Sequence, residues 1–279
     1  MKKYLAVLDG FHLAEGTVEY AIALAKLENA HLVGVFLDER VYRSYDMYKV
    51  IMQAADVDRT IENLDKLDDL KREEAARRFQ SACEKAGISF SIHHDRQVAE
   101  KIIREESVYA DLLLIGKQES FSIVQQEIPS AFLQNLMAGS FCPVLVVPPV
   151  YSLIDKIFLL YDGKPSSVFA TKMFHYLLPV LAASKAIEVL TVQLPGNSTH
   201  LPNNKLIREF IDRHFPKAGY SILTGNPADQ IKGYVRNQAG NELLVTGAYR
   251  RTDLSRWFTS SMADMLLHDL TNPVFIAHH

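Results

Sequence analysis

Apolar positions in this chain gather into short runs of β type, separated by stretches of helical spacing. Residues 4–8 form one such run, stopped by Asp9-Gly10, and residues 17–27 then place Val18, Ala21, Ile22 and Ala25 on one helix face. A second strand is predicted over 31–36. Residues 40–85 are charged and mostly helical, and the alternating acids and bases over 58–79 predict a solvated helix face. Gly87 stops that helix. Strands are then predicted over 88–92, 111–116 and 143–147, with helices over 97–106 and 130–138, before Pro148-Pro149 interrupt the series. Tyr42, Tyr45 and Tyr48, with Met47, Ile51 and Met52, make an aromatic and apolar helix stripe. Core packing is its default reading; covering a pocket or a second chain is the alternative.

The order then restarts. DKIFLLYDG at 155–163 answers KKYLAVLDG at 2–10, and residues 166–181 answer the first helix, with Pro179 ending or kinking it early. AIEVLTV at 186–192 answers AHLVGVF at 30–36, NELLVTGA at 241–248 answers ADLLLIGK at 110–117, and NPVFIAHH at 272–279 answers CPVLVVPP at 142–149. A period of half the chain means a duplicated domain rather than a solenoid. The expected domains are 1–150 and 151–279. Apolar strands alternating with amphipathic helices imply α/β architecture: two tandem, doubly wound, Rossmann-like parallel sheets. Ligands in such folds sit beyond the carboxyl ends of the strands, where strand order reverses. Asp9, Gly116, Asp162 and Gly247 all fall at strand ends.

Composition narrows the function classes. With 30 basic and 33 acidic side chains the net charge is −3, which gives no electrostatic case for nucleic acid or an anionic membrane. No apolar run reaches the length of a membrane span. Cys83 and Cys142 have no metal-ligand spacing and read as reduced thiols of a cytoplasmic protein. His93-His94 lack two further ligands in reach, so no metal site is expected. No nucleophile elbow, zinc helix or Walker loop occurs, so no catalytic set is expected.

One stretch does carry candidate chemistry. Residues 242–261 read as a strand ending at Gly247, an Arg-containing loop, and Ser260-Ser261 opening a helix. Backbone N–H groups at such a helix start favour an anion, although serine caps on an ordinary connection give the same pattern. Asp9 and Asp162 are equally explained by Asx turns.

These features, in this order and twice over, resemble the tandem members of the universal stress protein family across nearly the whole chain. Nucleotide-binding members carry G-x-x-G, nine residues, then G-[ST]. The second half reads Gly247-Ala-Tyr-Arg250, nine residues, then Ser260-Ser261; the first reads Gly116-Lys-Gln-Glu119, ten residues, then Ser130-Ala131. The resemblance implies adenosine contacts at Asp162 and Val192, with Asp9 and Phe36 as first-half counterparts. It also implies that the closing strands of the two halves pair antiparallel. The implied function is stress-related binding and regulation, with ATP or another adenine nucleotide, and Mg2+ only alongside it. Arg250 would either fill the space a glycine leaves or pair with a phosphate. Glu119 would repel a triphosphate, so the second half is the expected site. A nucleotide-hydrolysing enzyme and a ligand-free partner-binding module are the alternatives, and a homodimer stays open.

Overall fold

The structure is a computed structural model. It describes residues 1–37, 43–95, 98–122, 126–196, 200–247 and 262–277. Arg250, Ser260, Ser261 and Tyr42 lie outside them. The elements of the first half are β1 (Lys3–Leu8), α1 (Glu15–Glu28), β2 (His31–Leu37), α2 (Met47–Gln53), α3 (Val57–Ala86), β3 (Phe90–Asp95), α4 (Ala99–Val108), β4 (Leu112–Gly116), α5 (Ala131–Gly139) and β5 (Val144–Val147). Those of the second are β6 (Lys156–Leu160), α6 (Pro165–Leu177), α7 (Pro179–Ser184), β7 (Ala186–Gln193), α8 (Asn204–His214), β8 (Gly219–Thr224), α9 (Pro227–Arg236), β9 (Glu242–Gly247), α10 (Met262–Asp269) and β10 (Val274–Ala277).

One ten-stranded sheet runs through the molecule in the order β3-β2-β1-β4-β5-β10-β9-β6-β7-β8. All neighbours are parallel except β5 and β10, which meet antiparallel with Phe275 opposite Leu145. The expected pairing of the closing strands is therefore present, and it takes two edges out of solvent. Strand order reverses at β1 in one half and at β6 in the other.

Period-two alternation assigns each strand residue to a face. Tyr4, Ala6 and Leu8, with Ile157, Leu159 and Tyr161, belong to the core under α1, α3, α6, α7 and α8. Leu5 and Val7, with Phe158 and Leu160, belong to the opposite core under α4, α5, α9 and α10. Each core continues from one half into the other. Side chains reinforce this: Lys2 Nζ and Tyr4 Oη both donate to the Leu177 carbonyl, at 2.6 and 2.7 Å, and the Leu181 N–H donates to Glu28 Oε1 at 2.9 Å.

The structure shifts several predicted boundaries. Gly87, at φ 66°, caps α3 in the left-handed region. β3 therefore starts at Phe90, not 88, and extends to Asp95 because β2 stays paired with it to Leu37. The helical region of 40–85 divides in two, with Asp46 and Asp56 capping α2 and α3. Pro179 starts α7 at its first turn, after α6 has ended. The aromatic stripe is not core: Tyr48, Ile51 and Met52 are exposed, and Tyr45 Oη donates to Asp65 on α3 at 2.6 Å. No helix among the described residues is long and apolar enough to cross a membrane.

Candidate functional site

In the second half, Asp162, Val192 and Gly247 stand at the carboxyl ends of β6, β7 and β9, three adjacent parallel strands. Asp162 follows the strand at which the order reverses. Its Oδ1 accepts the Lys164 N–H at 3.0 Å, an Asx turn, and its Oδ2 faces Lys164 Nζ at 3.3 Å. Half of the side chain remains exposed. Val192 is partly buried on the α9 and α10 face of the sheet. Gly247 has a packing reason to be glycine. A Cβ there would stand 2.4 Å from the Ser166 carbonyl carbon and 2.6 Å from the Ser167 nitrogen, at the start of α6. Gly247→Ala is thus expected to destabilise the chain by about 1–3 kcal/mol in denaturant melts, with or without ligand.

The first half has the same strand ends and different contents. Asp9 is buried, with Oδ1 accepting the Phe11 N–H at 2.7 Å and Oδ2 lying 3.4 Å from His12 Nδ1. Gly116 is buried under Thr17 and Glu119. A Cβ on it would meet Thr17 Oγ1 at 2.9 Å and Glu119 Oε1 at 3.3 Å. The carboxyl of Glu119 thus fills the space above Gly116 that a ligand would use. Burial, and then the charge of Asp9, push the Glu119 carboxyl up to about 8, so at neutral pH it keeps its proton. Ser130 is already engaged: its Oγ donates to the Glu119 carbonyl at 2.6 Å and accepts the Leu133 N–H at 3.1 Å as the cap of α5. Lys117 points away, its Nζ donating to the Leu270 carbonyl at the end of α10, and burial lowers its pKa. Two buried acids and an occupied hydroxyl do not suit a polyphosphate. The sequence pattern exposed Glu119 as an obstacle. Thr17, whose buried hydroxyl has no partner among the described residues, carried no signal beyond being a hydroxyl in the first turn of α1.

The first-half counterpart of Val192 also needs correction. Lys3 pairs with His31 and Lys156 with Ala186, so Val192 corresponds to Leu37, not Phe36. A one-residue slip changes the face. Phe36 lies wholly in the α1 and α3 core, edge-on to Phe79 at 6.0 Å and stacked on His94 at 5.5 Å.

The remaining candidates are structural. His93 Nδ1 lies 2.6 Å from Glu106. No group of three His, Cys, Asp or Glu among the described residues is placed to hold a metal ion. Both cysteines are buried, which raises Cys83 to about 12 and Cys142 to about 11, far from thiolate formation at neutral pH. Asn226 accepts from the Ala228 and Asp229 N–H groups as the cap of α9.

No protein-family profile matches the chain, and no curated protein sequence matches it. Solved structures do match. A universal stress protein from Archaeoglobus fulgidus DSM 4304 superimposes with a TM-score of 0.69 at 14% identity, covering 98% of each chain. A functionally unknown protein from Pseudomonas aeruginosa PAO1 does so with a TM-score of 0.61 at 15% identity, covering 100% of this chain and 92% of that one. Strand order, the antiparallel seam and these superpositions agree: the chain has the universal stress protein fold, written twice along one sheet.

Proposed function

We propose that this is a binding and regulatory protein of universal stress type, built as two domains, 1–150 and 151–279. Its second domain would hold an adenine nucleotide, or another anionic ligand, at the ends of β6, β7 and β9. The observation that supports this assignment is the contrast between the two strand-end sites. Glu119 and Asp9 occupy the first, while Asp162 stands half exposed at the reversal point of the second. Asp162 and the backbone around Val192 would contact the nucleoside, and Arg250, Ser260 and Ser261 the phosphates. Mg2+ would come only with the nucleotide. In such a protein the ligand acts as a signal, and the residues present bind and orient it; none is assigned a chemical step.

Calorimetric titration of the full chain with ATP, ADP, AMP and cyclic AMP tests the assignment. Asp162→Ala is expected to weaken binding at least tenfold, as loss of a hydrogen-bonded charged contact does, while Asp9→Ala leaves it within twofold. The reverse pattern, or a blank titration with the unmodified protein, overturns the reading.

A further inference from the structure

A cavity of about 560 Å³ opens between α6 and α8, on the face of the sheet away from Val192. Its walls are Tyr161, Phe169, Leu206, Ile207 and Phe210, with Lys172 as the one charged lining residue among the described residues. Neither Asp162, Val192 nor Gly247 lines it. We propose that this groove is a second binding site, for a small amphipathic carboxylate whose apolar body lies between the helices and whose charge meets Lys172.

The volume falls within the range of small-molecule sites, roughly 300–1,000 Å³, and such sites combine apolar walls with a few polar groups. Lys172 is exposed on α6, and it forms no ion pair or hydrogen bond with the described residues. Its ammonium is therefore available to a ligand anion. The Tyr161 hydroxyl is already committed, donating to the Pro202 carbonyl at 2.9 Å, so its ring serves as wall. Leu206 is 68% exposed at the mouth, where an isolated leucine gains nothing from water.

The loops at one end hold the groove open. Gly163 has φ 83° and packs against Pro202, where a Cβ would approach to 2.6 Å, and Asn203 follows at φ 48°. The first half differs at the corresponding place. Phe11, which follows Gly10 as Lys164 follows Gly163, lies under the Arg72 guanidinium of α3 at 4.4 Å. The long α3 brings that cover, and the shorter second half lacks it. Ile22 stands on α1 about where Lys172 stands on α6, so the cation is also particular to this groove.

Ligand-observed NMR titration of the full chain with octanoate, octanol and octylamine tests the proposal. Octanoate is expected to saturate and to bind about threefold more tightly than octanol, the increment of one exposed ion pair. Octylamine should bind least. Lys172→Gln should abolish the octanoate advantage and leave octanol binding unchanged. Leu206→Glu, at an exposed position that tolerates charge, should weaken both. Excess ATP should leave octanoate in place. No saturable binding, equal binding of octanoate to the Lys172→Gln protein, or displacement by ATP would each overturn the assignment, the last by moving the carboxylate to the strand ends.

Discussion

Glu119→Gln is expected to raise stability by about 5 kcal/mol at pH 9 and to change it little at pH 4. The folded chain holds the Glu119 proton up to about pH 8, whereas the unfolded chain releases it near the ordinary carboxylate value of 4.5. Between those two values the native state binds more protons than the unfolded state. Stability must therefore fall as pH rises through that window and level off above it. Glutamine keeps the size of the side chain and cannot ionise, so it removes the decline. Urea titrations of both proteins at pH 4, 6.5 and 9 read the difference directly. Parallel curves across that range would mean that the Glu119 carboxyl stands in water rather than above Gly116.

Phe275→Ala is expected to cost about 3–5 kcal/mol, the range for deleting a buried aromatic ring. Phe275 has no exposed surface, lies edge-on to Phe174 at 5.7 Å, and faces Leu145 across the antiparallel seam. Since the cores on both faces run through that seam, the damage should be shared by both halves. Hydrogen exchange of the β6 and β9 amides reports the second half, and far-UV circular dichroism reports the whole chain. The two transitions should stay coincident and move together to lower denaturant. Separate transitions in the unmodified protein would show the halves to be independently stable.

Much of this architecture could be read from residue order. The strand runs ending near Asp9 and Asp162 were legible because buried parallel strands leave long uninterrupted apolar runs, whereas the pairing of the two Pro-Val strands came from the family resemblance. Edge strand β8 has no fully buried residue, and α8 buries only Ile207 and Ile211, so neither produced a comparable run. The groove that α8 helps to form was invisible for that reason. Matching Val192 to Phe36 failed because an apolar run fixes a strand's existence better than its register; only the ladder distinguishes Phe36 from Leu37. Glu119 read from sequence as a charge that would repel a phosphate; buried above Gly116, it is instead a neutral group that fills the space. That depends on the approach of α1 to Gly116, which no local pattern encodes.

The reversal of strand direction at β5 and β10 sends the two strand-end edges to opposite sides of the molecule. In a symmetric pair of identical subunits, any substitution appears on both sides at once. Fusion into a single polypeptide breaks that obligation, so each copy can drift without dragging its twin along. An acid lodged in one copy and an open carboxylate in the other is the division of labour that such a covalent heterodimer permits.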